Sequence, residues 1–320
     1  MLNIPFVSSL FKAKTRDAGL LSIGLAEQGL YLVQVAFNGA KPRVVRCEYH
    51  ETASAVSAAD LAQLKREANL DNSVCTTLLA PGEYQMLLVD APNVPVQELK
   101  TAIRWKIKDG LSYHIDDATV DVLQIPYNKL RSDRSQSLYA IAARNETIQN
   151  RIHLFEQARL ALSVIDIPET AQRNIAALFE QEGRALAFLA FDEQGGLLTF
   201  TSGGELYLSR RIEISIGQLS DANEGMREQY RGRVELELQR SLDYFDRQFN
   251  HLAISRLLLC VPDHAKLLDF LVASVDVTVE KLDLSQVMDI SAVPALADME
   301  FVAQVLPILG AALRQETRVL

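Results

Sequence analysis

Cysteine is scarce in this chain, which has only Cys47, Cys75 and Cys260 among its 320 residues. The number is odd and the spacing is wide, which excludes the disulfide framework of small secreted domains. We therefore predict three buried thiols in a reducing compartment.

Long apolar runs are also missing, since no stretch approaches the roughly 18 residues that a membrane-spanning helix needs. Near the start, the basic residues Lys12, Lys14 and Arg16 follow the apolar stretch instead of preceding it, the reverse of a secretory signal. These features predict a cytoplasmic protein. Residues 1–19 are predicted to be either a frayed terminus or an arm that docks on a membrane surface or a partner.

Positive charge is in deficit, with 32 Lys and Arg residues against 41 Asp and Glu residues and a net charge of −9. The absence of a long basic stripe argues against binding to nucleic acid. The chain also lacks a Walker-type phosphate loop, a Gly-x-Ser-x-Gly elbow and the paired cysteine or histidine spacings of zinc sites. No local motif therefore predicts an enzyme.

One pattern of strands and turns occurs twice. Residues 20–51 run strand, acidic turn, strand, Asn38-Gly39 hairpin signal and strand in LLSIGLAEQGLYLVQVAFNGAKPRVVRCEYHE. Residues 185–215 repeat this order in ALAFLAFDEQGGLLTFTSGGELYLSRRIEIS. Alternating helix and strand patterns follow each copy, which indicates an α/β protein built from two similar halves.

Five sequence blocks resemble the type IV pilus assembly protein PilM family. They are LLSIGLAEQGLYLVQV, NVPVQELKTAIRWKIKDGLSYHIDDATVDVLQIP, GGELYLSRRIEISIG, ELQRSLDYFDRQFNHLAISRLLL and LPILGAALRQ. The resemblance implies an α/β, actin-like duplicated ATPase fold of the Hsp70 and FtsA type, with a subdomain inserted in the first half. The chain is most similar to the branch of the family that serves the MSHA (mannose-sensitive haemagglutinin) pilus, because its nucleotide loops are weakened.

The resemblance also implies a domain plan and a partner. We expect an N-terminal arm over residues 1–19, a first actin-like subdomain over 20–70 and 162–184, an inserted subdomain over 71–161, and a second actin-like half over 185–320. Members of the family are cytoplasmic and capture the short cytoplasmic peptide of a bitopic, PilN-like inner-membrane protein. We therefore expect an adaptor at the inner face of the inner membrane.

The predicted helix over residues 97–108 is a candidate wall of the peptide groove. Its apolar stripe excludes the single tryptophan, Trp105, and an aromatic ring outside the core stripe suits an interface anchor. The alternative is that Trp105 packs under the loop at residues 111–113. The resemblance implies that the peptide runs between the first subdomain and the insertion, which makes the strand near residues 87–90 a second candidate wall. The predicted partner-binding residues are Leu87, Val89, Ile103, Arg104, Trp105 and Lys108.

Three turns correspond to the nucleotide loops of the actin-like fold, in which carboxylates hold Mg²⁺ and glycines let the backbone approach phosphate. On the family pattern, the positions of the carboxylate and the glycine hold Gly24 and Ala26 in the first turn, and Ala190 and Asp192 in the second. The third turn, normally glycine-rich, reads Val261, Pro262, Asp263 and His264.

We therefore predict that these loops are vestigial and that the chain has no catalytic activity, no metal and no nucleotide. An ATP- and Mg²⁺-binding switch of the same fold, in the same pathway or one like type II secretion, is the alternative. For Asp192 the other interpretation is a shifted metal ligand, and for His264 a contact to phosphate or metal. A sugar or acetate kinase ranks last, because no catalytic base stands out.

Overall fold

The computed structural model describes residues 20–37, 39–71, 73–126 and 136–315. The predicted arm at residues 1–19 and Asn38 of the predicted hairpin lie outside the described residues. In chain order, the strands are β1 (Leu20–Ala26), β2 (Gly29–Ala36), β3 (Arg43–Glu51), β4 (Val74–Leu78), β5 (Tyr84–Asp90), β6 (Ala118–Gln124), β7 (Ser137–Arg144), β8 (Ala161–Asp166), β9 (Ala185–Asp192), β10 (Gly195–Ser202), β11 (Glu205–Ile212), β12 (Ile254–Cys260) and β13 (Val279–Lys281). The α-helices are α1 (Ala58–Glu67), α2 (Val96–Ile107), α3 (Asn145–Gln157), α4 (Pro168–Ala176), α5 (Ile216–Leu219), α6 (Glu224–Gln248), α7 (Leu267–Ser274) and α8 (Met299–Ala312).

Two five-stranded sheets have the same topology. The first has the order β3-β2-β1-β4-β8 and the second the order β11-β10-β9-β12-β13. In each sheet three antiparallel strands from a meander are followed by two parallel strands reached through helices. The predicted duplicated α/β plan is therefore confirmed at the level of strand order.

A third, smaller sheet has the order β5-β7-β6 and carries α2 on one face. Its position corrects the expected limits of the inserted subdomain, because β4 pairs with β1 and β8 and so lies in the first sheet. Helix α3 also belongs to the first half, since its buried Phe155 shares a cluster with Leu61 and Leu64 of α1. The separate unit thus runs from about β5 to β7, not from residue 71 to residue 161.

Local sequence explains the helices that frame these sheets. Helix α1 begins with a capping box in which Ser57 and Asp60 bond to each other's backbone N–H groups. In α2, Leu99, Ile103 and Ile107 recur at helical spacing and are buried on the small sheet. Helix α4 begins with Pro168. Proline has no backbone N–H, and this costs nothing in the first turn of a helix, where that group would have no partner within the helix.

Helices α4 and α8 pack against each other between the two large sheets. Helix α8 contacts β1, β2 and β4, while α4 contacts β9, β10 and β11. The approach is close at Gly310, where an added Cβ would lie 2.6 Å from the carbonyl carbon of Ala171 and nearer still to its oxygen. Asn174 Nδ2 donates a hydrogen bond to Gly310 O at 2.9 Å. One hydrophobic cluster therefore joins both halves through this helix pair.

Candidate functional site

The turns that correspond to the first two nucleotide loops occupy equivalent places in the two sheets. The β1–β2 turn lies between the paired residues Ala26 and Gly29, and the β9–β10 turn between Asp192 and Gly195. Gly24 and Ala190 each lie two residues before the strand end. The alignment of the two halves made from the sequence thus agrees with the strand register.

The first turn faces a helix instead of an open cleft. A Cβ at Gly24 would collide with Cγ1 of Ile308 and lie 3.1 Å from its Cδ1, so α8 covers the strand there. Ala190, at the equivalent position of β9, is 8% exposed and belongs to the same central cluster as Ile308. Neither position has a side-chain oxygen that could bind a metal ion.

Asp192 holds its own turn together. Its Oδ1 accepts hydrogen bonds from the backbone N–H groups of Gln194 at 2.8 Å and Gly195 at 3.0 Å. Burial raises the pKa of Asp192, and these two hydrogen bonds together with the charge of Arg211 offset only part of that rise. The carboxylate therefore has a local structural role as the acceptor of a tight turn.

At the β9–β10 turn the cleft contains a small cavity. Its volume is about 20 Å³, and it is bounded by α4, α8 and the β9–β10 hairpin. A water molecule needs roughly 10–15 Å³ by this measure, whereas small-molecule sites run to about 300–1,000 Å³. The side chains that fill the space include Gln172, Phe191, Arg211, Leu306 and Pro307. This cavity has room for a water molecule but not for a nucleotide.

The residues of the third turn also contact other parts of the protein. Val261 and Pro262 are buried, Asp263 Oδ1 lies 2.5 Å from Lys281 Nζ, and His264 Nδ1 lies 3.3 Å from Glu300 Oε1. A shallow cavity of about 170 Å³ lies beside this turn, with Lys266 and Lys281 in its wall. Across the described ranges, no group of three or more His, Cys, Asp and Glu side chains is arranged to hold a metal ion.

A charged network that the sequence did not reveal lies at the edge of the cleft. Tyr84 Oη donates to Glu169 Oε2 at 2.5 Å, and Arg211 Nη2 bonds to Glu169 Oε1 at 3.0 Å and to Tyr84 Oη at 2.8 Å. Glu169 is 2% exposed. The one available signal was an acidic residue placed directly after Pro168 in a helix that is otherwise buried.

The predicted docking residues divide into core and surface. Ile103 is fully buried, and Leu87 and Val89 pack against the same cluster, so the space between β5 and α2 is filled. Arg104 donates to the carbonyl oxygens of Ala118 at 2.6 Å and Ile115 at 2.7 Å. No groove therefore lies between this strand and this helix, because their apolar faces pack against each other. The expected groove between the first subdomain and the insertion stays a prediction.

Trp105 and Lys108 are the accessible members of the predicted set. The Trp105 side chain is 68% exposed, so the alternative in which it packs under residues 111–113 is wrong. Lys108 Nζ lies 5.9 Å from the centroid of the indole ring, within the range of a cation–π contact. A large exposed ring on a helix that is anchored by its opposite face is suited to contact another molecule.

A second apolar surface lies on the opposite face of the small sheet. Met86 packs with Ile148 and Ile165 of the first half, and Leu88, two residues further along the same face of β5, is 49% exposed. We call these four residues the β5 shelf. Among the described strands β5 pairs only with β7, so the shelf lies on an edge strand of the small sheet.

Part of the chain matches the model of a known protein family. The model of the family described as "Type IV pilus assembly protein PilM" matches residues 85–192, a third of the chain that includes the whole small sheet after its first residue. This segment is PilM-like. No curated protein sequence matches the chain significantly.

Solved structures extend the likeness to the fold of the whole chain. The structure titled "PilM-PilN type IV pilus biogenesis complex" is 19% identical, with a TM-score of 0.72 over 92% of this chain and 98% of that one. The cytoplasmic domain of EpsL, an inner membrane component of the type II secretion system of Vibrio cholerae, is 12% identical over 77% and 83%, with a TM-score of 0.47. A Bacteroides thetaiotaomicron protein with an actin-like ATPase fold is 12% identical over 90% and 99%, with a TM-score of 0.48. The fold of this chain is the actin-like one, and the latter two are distant likenesses only.

Proposed function

We propose that this chain is a non-catalytic adaptor of a type IV pilus assembly platform, which docks the cytoplasmic peptide of a PilN-like bitopic membrane protein. The observation that carries the proposal is the PilM match over residues 85–192, because this segment contains both exposed apolar surfaces of the small sheet. The adaptor works at the cytoplasmic face of the inner membrane. No described helix has the length and apolar character to cross a bilayer. Within the family, its role is that of MshI in an MSHA-type system.

The state of the cleft supports an adaptor over an enzyme. The first turn has no carboxylate at Gly24 or Ala26, and Asp192 is bonded to its own turn. The cavity beside the second turn has a volume of only about 20 Å³, because side chains from α8 and α4 occupy the space around it. A fold whose turns lack these carboxylates fits a protein that acts through its surface.

Two surfaces are available for the partner's peptide. The indole of Trp105 with Lys108 offers an aromatic and cationic contact on α2, and the β5 shelf offers apolar side chains beside a strand edge. They lie on opposite faces of one thin sheet, so a single short peptide contacts one of them. We propose the Trp105 face as the docking site, since its ring is the more exposed.

The test is titration with a synthetic peptide that covers the cytoplasmic segment of a PilN-like membrane protein from the same organism. Binding is measured by anisotropy of a dye on the peptide. We expect Trp105→Ala to weaken binding at least tenfold, about 1.4 kcal/mol. Val272→Ala, at a site on α7 that is 58% exposed, is the control and should bind normally. Leu88→Ser tests the shelf, and a loss of affinity there alone would move the site to β5.

The alternative function is an ATP-binding switch. The cavity of about 170 Å³ beside the third turn, with its two lysines, is the observation in its favour. A ligand that binds only the folded state adds about 2.7 kcal/mol of stability at 100 times its Kd. We expect no change in melting temperature with saturating ATP and Mg²⁺. A clear rise would support the switch, and a rise that Lys266→Ala abolishes would locate the nucleotide at this cavity.

A further inference from the structure

The network formed by Tyr84, Glu169 and Arg211, hereafter the latch, joins three separate parts of the fold. Tyr84 begins β5 of the small sheet, Glu169 lies in the first turn of α4, and Arg211 lies near the end of β11 in the second large sheet. Arg211 also bonds to Glu169 Oε1 through its Nε at 3.2 Å. One carboxylate therefore receives three hydrogen bonds from residues 85 and 42 positions away in the chain.

Burial makes the members of the latch depend on one another. Glu169 keeps 3% of its side-chain exposure, so its charge needs Arg211, whose side chain remains 37% exposed at the solvent end of the latch. Burial, and to a lesser extent the negative charge of Glu169, raises the pKa of Tyr84. The phenol therefore keeps its proton and remains a hydrogen-bond donor. Burial alone would lower the pKa of Arg211, and the interactions with Glu169 and then with Tyr84 reverse this effect.

A second set of contacts follows the same line between the small sheet and β11. The backbone N–H of Ser209 donates to Tyr139 Oη at 3.1 Å, and Tyr139 shares a hydrophobic cluster with Ile125 and Leu206. The small sheet, which belongs to the first half in sequence, thus rests directly on the second half. The latch is the charged end of this interface.

The position of Arg211 gives the latch a specific meaning. Its side chain lines the cleft together with Asp192 and Gln172, and its charge acts on Asp192 as well as on Glu169. The guanidinium of Arg211, which is always charged, bonds directly to Glu169 and acts on Asp192 through its charge alone.

We propose that the latch closes the small sheet onto the second half without any ligand, so that the two parts keep one fixed arrangement. The closing cation is a permanent part of the chain, and the arrangement does not cycle with nucleotide. The proposal concerns the geometry of the fold and does not depend on which peptide the protein binds.

The test measures the distance between the two parts directly. Val96→Cys on α2 and Leu236→Cys on α6 are exposed positions for spin labels, and the three native thiols are buried. Double electron–electron resonance on this pair should give one narrow distance distribution. We expect Tyr84→Phe and Arg211→Gln each to broaden it or to add a longer distance. Arg210→Gln is the matched control, because Arg210 lies over Tyr244 outside the latch, and it should leave the distribution unchanged.

The milder variant keeps the test decisive. Tyr84→Phe removes one hydroxyl and keeps the ring, so it decides the outcome if Arg211→Gln does not fold. A narrow, unchanged distribution in Tyr84→Phe would overturn the proposal, as would a shift of the wild-type distance upon addition of ATP and Mg²⁺. Equal broadening in Arg210→Gln would show that any loss of charge loosens the interface, which also contradicts a specific latch.

Discussion

The contact between α4 and α8 gives a sharp test of how the halves are held together. Substitution of Gly310 by Ala would place a Cβ 2.6 Å from the carbonyl carbon of Ala171 and 3.1 Å from its Cα. Ordinary contact between carbon atoms needs about 3.5 Å, so the helices must separate by about 1 Å. The obstructing atoms are backbone, and no side-chain rotation can relieve the clash.

The magnitude follows from two opposing effects. Overpacking of a close-packed interior costs about 1–3 kcal/mol, and this rigid contact belongs at the upper end. Alanine also favours the helix over glycine by about 0.5–1 kcal/mol. We therefore expect Gly310→Ala to lower the free energy of unfolding by about 2 kcal/mol, measured by urea denaturation followed by circular dichroism.

Gly232 in α6 provides the matched control. It also lies inside a helix, but an added Cβ there meets nothing within 4 Å. Gly232→Ala should raise the free energy of unfolding by about 0.5–1 kcal/mol. A stability of Gly310→Ala within 0.5 kcal/mol of the wild type would refute the close packing of α4 on α8.

Three further substitutions and reactions test the assignment of core and surface. Ile103→Ala should cost about 2–5 kcal/mol in urea denaturation, because a fully buried side chain is lost, and a wild-type value would refute its place in the core. Trp105→Ala should change stability by less than about 0.5 kcal/mol, and a larger loss would mean that the ring packs in the fold. Burial raises the pKa of Cys47, Cys75 and Cys260 to about 12, so a thiol reagent should label them only upon unfolding. Labelling in the native protein would contradict their burial.

Features with a local signal were predicted well from the sequence. Both meanders were recognised because strand, turn and strand are adjacent in the chain, and the stripe of Leu99, Ile103 and Ile107 placed α2 correctly. The same stripe misled the prediction of the docking site. Ile103 was assigned both to the core face and to the groove wall, although one side chain cannot occupy both.

Features that depend on distant partners could not be predicted. The sequence indicated that β4 is a strand but not which sheet contains it, since its parallel partner β8 lies more than 80 residues later. Tyr84 and Arg211 are separated by 127 positions, and neither has a local pattern that marks the other. Parallel pairing and buried charge are decided by tertiary packing, on which strand propensity carries no information.

Asp192 gives a last test of whether the second turn still needs a negative charge. Since burial raises the folded-state pKa of Asp192 above that of the unfolded chain, its ionisation opposes folding. Stability is therefore lost as the pH rises from about 4 through the raised pKa. Asp192→Asn keeps an oxygen for the N–H groups of Gln194 and Gly195, so it should be at least as stable as the wild type at pH 7. The advantage should shrink to nearly nothing at about pH 3, where most of the wild-type carboxyl is protonated in both states. Urea denaturation at the two pH values measures it. If the variant is markedly less stable at pH 7, the fold requires the negative charge of Asp192. A metal ion or a cationic ligand at this site would also require that charge.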